Sequence, residues 1–369
     1  MRRLRYQVAT SLDMKLSMKR RTVSVVAALL TAVTGLRVNA QLTQVAGVTC
    51  TSPPPLHCPE ANCPRELIAN PGNAVLPKSN RAFFLDYPCD LKPGEVVTFV
   101  LNLHGGGSIG NWQRHYFPIM DLKDKYRLVV ATPSAVKSLW SPEDDDAHLR
   151  NIVNFVFDRF GTKNIKAFWL AGHSDGGLTA NRLLRTEFYR NKLTGVVSLS
   201  GGRFGSPRAY APRDARSLYL LPSTQGSTLG PAAAGAGRAT EPGVGLSDAS
   251  NLPDYNFSHI YSSGEYELTA AGLPDHSLWA QRLGCKAQTR RPDIVDTKAG
   301  YVWDARLGTA KRSRMQGLKP RPGSARVFVY PECSDRHVVA DVIRLDKGHT
   351  EGLEPNVTEE IVKLMLAAK

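Results

Sequence analysis

Six short apolar segments punctuate the chain: "VVTFVLNL" (96–103), "RLVVATP" (127–133), "IKAFWLAG" (165–172), "GVVSLSG" (195–201), "SHIYSSG" (258–264) and "HVVADVIRL" (337–345). Each is rich in β-branched or aromatic residues and stops at glycine, proline or a polar breaker, the pattern of a buried strand. Between the second and third, Leu149, Ile152, Val153, Val156, Phe157 and Phe160 recur at helical spacing, so they form one apolar face of an amphipathic helix. "LTANRLLRTEFYR" (178–190) reads as another helix, and a third closes the chain. Strands taking turns with helices predict a mostly parallel central sheet flanked by helices on both sides.

The first forty residues stand outside this pattern. Lys19, Arg20 and Arg21 precede the 14-residue apolar run "VSVVAALLTAVTGL", and the small residues of "VNA" end at Ala40. That is the layout of a secretory signal cleaved before Gln41, with an apolar stretch too short to span a bilayer. Residues 41–80, proline-rich with three cysteines, read as an N-terminal extension, and 81–369 as the catalytic domain. The glycine- and alanine-rich run 222–245 is expected to be a flexible insertion. An exported protein, secreted or periplasmic, is the expectation, without stable membrane insertion.

Composition narrows the class further. With 42% hydrophobic and 22% charged residues, the 369-residue chain has an ordinary globular balance. Removing residues 1–40 leaves 39 basic and 32 acidic residues, a net +7 against +14 for the whole. Basic runs such as "KRSRMQGLKPR" (311–321) then read as solvated loops with some affinity for anionic material, and no nucleic-acid partner is expected. All six cysteines, Cys50, Cys58, Cys63, Cys89, Cys285 and Cys333, fall in the exported part. An even count in an oxidising compartment reads as disulfides, divided naturally into two bonds near the N-terminus and one between the late pair. No Cys-x-x-Cys pair occurs in the sequence, so a zinc site is not expected.

The chemistry concentrates at "FWLAGHSDGGLTA" (168–180), where Gly172-His173-Ser174-Asp175-Gly176 follows a strand and precedes a helix. This is the context of a nucleophile elbow, whose flanking glycines admit the sharp strand-to-helix turn and whose serine hydroxyl is held clear. "LHGGG" (103–107) closes an earlier strand, and its backbone N–H groups near Gly106 and Gly107 would share an oxyanion with the N–H of Asp175. His349, in "KGHTEGLEPN" after the last strong strand, is placed as general base; His104 and His173 read as scaffold. The acid belongs between nucleophile and base in chain order. Glu267, three residues past the strand-ending Gly264, is preferred, with Asp275 and then Glu265 as alternatives. Trp112 and Trp140 are candidates for substrate stacking.

These motifs, with "SLWAQRLGC" (277–285) and "VFVYPEC" (327–333), resemble exported α/β-hydrolase esterases of the polyhydroxybutyrate depolymerase and feruloyl esterase type. The resemblance covers residues 80–369. It implies the α/β-hydrolase fold, a Ser-His-acid triad, a Cys285–Cys333 bond, no metal or organic cofactor, and an ester substrate that is polymeric or small. The chain is expected to act as a monomer. Two departures stand out: "SSGEYE" replaces the family's His-Gly-x-x-Asp, and "TEGLEPN" replaces its Trp-Pro-Gly after the histidine. A serine peptidase on the same fold and a non-catalytic polysaccharide-binding module are the competing classes.

Overall fold

Alternation along the central strands decides which way the chain buries itself. In Val97–Leu103, Phe99, Leu101 and Leu103 enter one apolar layer and Val100 the other, all fully buried. A strand apolar on both faces must be covered on both, and the neighbouring segments supply the helices that do so.

The computed structural model describes residues 44–45, 48–50, 72–77, 79–204, 252–268, 273, 275–303 and 314–369. The expected signal (1–40), Cys58, Cys63, the insertion 222–245 and residues 311–313 of the basic run lie outside the described residues. A short hairpin pairs Gln44–Val45 with Val48–Thr49. The eleven-stranded main sheet contains β1 (Ala74–Val75), β2 (Ala82–Asp86), β3 (Val97–Leu103), β4 (Leu128–Pro133), β5 (Ile165–His173) and β6 (Gly195–Leu199). It continues with β7 (Ser258–Gly264), β8 (Thr289–Arg290), β9 (Ile294–Val295), β10 (Ser324–Tyr330) and β11 (Val339–Arg344). The order is β1-β2-β4-β3-β5-β6-β7-β11-β10-β8, with β9 also on β10. The six strands from β4 to β11 run parallel; β2 and β10 flank them antiparallel.

The helices are α1 (Gly110–Tyr116), α2 (Lys123–Tyr126), α3 (Pro142–Phe160), α4 (Asp175–Leu183), α5 (Glu187–Arg190), α6 (Leu278–Arg282) and α7 (Pro355–Ala367). Leu149, Ile152, Val153 and Val156 of α3 pack with Ala180 and Leu183 of α4 and Trp279 of α6 on one face. Trp112 and Tyr116 of α1 and Ile361, Val362 and Met365 of α7 cover the other. The start of α3 is capped by Ser141, whose hydroxyl accepts the Asp144 N–H at 3.1 Å, with Pro142 at the first helical position and Glu143, Asp144 and Asp145 at the positive end. This is the α/β-hydrolase fold, with helices on both sides of a mostly parallel sheet.

The predicted helix over 178–190 is corrected in two ways. It begins at Asp175, and it breaks before Glu187 because both the N–H and the hydroxyl of Thr186 turn back onto the Leu183 carbonyl, at 2.9 and 2.8 Å. Two disulfides are present among the described residues. Cys50–Cys89 fastens the N-terminal hairpin to the segment after β2, and Cys285–Cys333 closes a 48-residue separation between α6 and the end of β10. No described helix is long and apolar enough to cross a membrane.

Candidate active site

At the end of β5 the chain turns into α4 through Ser174, which adopts φ 50° and ψ −113°. A non-glycine residue with positive φ is strained and persists only where its surroundings hold it. The neighbours do so sterically. A Cβ on Gly172 would lie 2.3 Å from the Gly176 carbonyl carbon, and one on Gly176 would lie 2.3 Å from the Leu103 oxygen. The turn is further held by the Ser174 N–H, which donates to the Leu199 carbonyl at 2.8 Å. Ser174 is 6% exposed at the start of α4.

The glycine loop after β3 lies directly beside this turn, since a Cβ on Gly105 would come within 3.3 Å of the Ser174 Cβ. His104 shapes it from below. Its Nε2 accepts the Ala135 N–H at 3.0 Å, so its proton sits on Nδ1, which donates to the Gly105 carbonyl at 2.7 Å. Burial lowers its pKa to about 4, and the ring is neutral. The expected oxyanion donor at Gly107 is corrected: its N–H is committed to the Ser138 carbonyl at 2.6 Å. Gly106 makes no hydrogen bond among the described residues. The Asp175 carboxylate accepts the Trp140 N–H at 3.0 Å, which fixes the first turn of α4.

Beyond β11, His349 is gripped at both ends of its own backbone. Its N–H donates to the Met315 carbonyl at 2.8 Å, and its carbonyl accepts from Tyr116 Oη at 3.0 Å and His173 Nε2 at 2.8 Å. His173 must therefore carry its proton on Nε2; burial and the neighbouring His349 hold its pKa well below the ordinary range, so it stays neutral. The His349 Nδ1 lies 2.6 Å from Glu267 Oε2. The other oxygen, Oε1, accepts from Ser200 Oγ at 2.7 Å and the Gly264 N–H at 2.9 Å. Burial alone would raise the Glu267 pKa, but the charge and hydrogen bond of His349, then Ser200 and Gly264, outweigh it and hold the carboxyl below its usual range. Such a contact fixes the orientation of the imidazole.

The two alternative acids fall elsewhere. Asp275 has a side chain 95% exposed and lies 3.4 Å from His276 Nδ1, so it is not brought to His349. Glu265 accepts the Asp346 N–H at 2.9 Å and thereby ties the acid loop to the histidine loop. The stacking expectation for Trp112 and Trp140 is corrected as well, because both are only 3% exposed. The Trp112 ring stacks on Tyr116 at 4.9 Å in an aromatic column that continues through His173 to His349. Trp140 packs against His104 at 4.6 Å and donates its indole N–H to the His104 carbonyl at 2.8 Å. Ser200 and Tyr116 carried no signal in the sequence, since their partners lie 67 and 233 residues away.

No family model matches the sequence, and no curated protein matches it either. Among solved structures, an acetyl xylan esterase from Aspergillus awamori aligns at 12% identity over 78% of this chain and 94% of its own, with a TM-score of 0.41. The fluorophosphonate-binding serine hydrolase F of Staphylococcus aureus aligns at 14% identity over 52% of this chain and 77% of its own, with a TM-score of 0.36. An S-formylglutathione hydrolase of the same organism has equal identity and coverage and a TM-score of 0.38. The strand order and direction themselves define the fold.

Proposed function

We propose that this protein is a serine hydrolase that cleaves carboxylic esters through an acyl-enzyme, with Ser174 as nucleophile, His349 as base and Glu267 as acid. The observation that carries this reading is the 2.6 Å contact of Glu267 Oε2 with His349 Nδ1, in a molecule whose serine occupies a strained strand-to-helix turn. The three residues follow the chain order Ser, acid, His of an α/β-hydrolase. His349 takes the hydroxyl proton as Ser174 attacks the ester carbonyl, and Glu267 stabilises the imidazolium. The N–H groups of Gly106 and Asp175 receive the developing oxyanion. The imidazolium then returns its proton to the departing alcohol, and water repeats the sequence on the acyl-enzyme.

The substrate class we infer is an ester of a polyester or of plant cell-wall feruloyl or acetyl groups, met outside the cell. Support comes from the resemblance of "LHGGG", "GHSDGG" and the late cysteine pair, and from the two disulfides, which persist in oxidising compartments. The stretch 1–40 is proposed as the export signal. A panel of short-chain aryl, feruloyl, acetyl-xylan and hydroxybutyrate esters, run on wild type and on Ser174→Ala, tests both levels. Hydrolysis lost by on the order of 10⁴-fold in Ser174→Ala is expected. Retention of more than about a tenth of the wild-type rate refutes the nucleophile, and turnover of peptide amides instead of esters moves the chain to the peptidases.

A further inference from the structure

Acyl transfer makes no use of the charges buried beneath the histidine loop. Arg344, Lys347, Glu351 and Glu354 are each 1–2% exposed. Burying a charge is costly unless it is paired and hydrogen-bonded, so each must have a partner that justifies it. Glu354 binds the two cations, accepting from Arg344 Nε at 3.1 Å and Lys347 Nζ at 2.8 Å.

Glu351 does something different. Its Oε1 accepts the N–H of Gly348 at 3.1 Å and the N–H of Leu318 at 3.0 Å, while Oε2 accepts from Arg321 Nη1 at 2.8 Å. One carboxylate thus binds both the residue before His349 and a segment thirty residues upstream. That same segment receives the loop directly, through the His349 N–H on Met315 and the Thr350 N–H on the Gln316 carbonyl at 2.9 Å. The fit leaves no slack: a Cβ on Gly348 would lie 2.4 Å from the Arg314 carbonyl oxygen.

We propose that Glu351 is a positioning residue that sets the placement of His349 by clamping its loop to residues 314–321. The proposal rests on the reading of His349 as general base. It gives the described part of the basic run a place inside the fold: Arg321 answers the Glu351 charge, and the main chain around Met315 cradles the histidine.

Glu351→Gln keeps an acceptor oxygen for the two N–H groups and removes the charge that Arg321 and Lys347 neutralise. The expected result is a fall in kcat per titrated active site of about tenfold to a hundredfold with KM unchanged. The downfield proton resonance of His349 Nδ1–H, assigned by its loss in Glu267→Gln, should broaden or move upfield in parallel. A folded Glu351→Gln with wild-type kcat and an unmoved resonance overturns the proposal, whatever happens to its melting temperature. Arg321→Met, at a side chain 28% exposed, carries the test if Glu351→Gln does not fold, with a smaller loss in the same direction expected and an unmoved resonance again decisive against it. The resonance needs no ester. Wild-type protein inert towards every ester would therefore sink the hydrolase reading while the resonance still decides the clamp.

Discussion

The Ser174 turn and the His349 loop are joined where His173 Nε2 donates to the His349 carbonyl at 2.8 Å, yet they are held by opposite means. Around Ser174 the constraint is steric: two glycines pressed against backbone leave the turn a single path. Around His349 it is polar, an arrangement of backbone hydrogen bonds and buried ion pairs drawn from α1, the segment 314–321 and the start of α7. A steric constraint is indifferent to pH, because nothing in it titrates. A polar constraint depends on every carboxylate in it remaining charged. The difference teaches that the same precision can be reached by removing atoms or by adding charges, and that the two should fail under different insults.

The largest effect should come from the steric side. Gly176→Ala sets a methyl group 2.3 Å from the Leu103 carbonyl oxygen, where only backbone could yield. Activity should vanish at every pH, with a loss of stability of about 3 kcal/mol, at the upper end for overpacked sites. Parallel thermal melts and rate measurements would check it; a fully active, fully stable Gly176→Ala would remove the steric half of the contrast.

Next comes Glu267→Gln, with kcat reduced by about 10² to 10⁴-fold and KM little changed. Its effect on stability has a definite sign. The folded-state pKa of Glu267 lies below the ordinary 4.5, so the ionised group adds stability that is complete above about pH 4.5 and is lost as pH falls through the folded value. Unfolding followed from pH 6 to pH 3 should show a steeper loss in wild type than in Glu267→Gln. Equal slopes would contradict the charge state assigned to the acid.

Ser200→Ala should be milder, because Glu267 Oε1 keeps the Gly264 N–H. Losing one hydrogen bond to a charged group should slow turnover by about tenfold. Removing a contact that lowers the Glu267 pKa raises it towards the ordinary 4.5, so the pH–stability profile should fall less steeply on the acid side than in wild type. Asp275→Asn, at the exposed surface, should leave rate and profile unchanged, and a crippled Asp275→Asn would return the acid role to the loop eight residues along.

Much of this arrangement could be read from the chain, for local reasons. The six apolar segments became strands within two residues of their quoted ends, because a run buried on both faces and stopped by breakers has few other outcomes. The strand Ala82–Asp86 was missed, since "AFFLD" is short and neither alternates nor ends in glycine. Glu267 could be singled out because Gly264 marks the end of β7, and a 3-10 turn over Glu265–Glu267 brings its side chain back to the Gly264 N–H. The tryptophans were misplaced, because sequence position next to a loop says nothing of which way an indole points. Gly107 failed for a related reason, its partner Ser138 lying on a different loop. The Glu351 clamp was illegible altogether. Charged residues in "KRSRMQGLKPR" and "TEGLEPN" look like solvated loop until the fold brings them together, and only then do their charges pair.

The most direct test of Ser174 as an activated nucleophile is covalent capture. Folded protein is treated with an aryl phosphonofluoridate, digested and mapped by mass spectrometry, for wild type and for Glu267→Gln. A single adduct on the peptide carrying Ser174, formed on the order of 10²-fold more slowly in Glu267→Gln, is the predicted result. No adduct, an adduct on another serine, or labelling of Ser174 at the same rate in both proteins would contradict it.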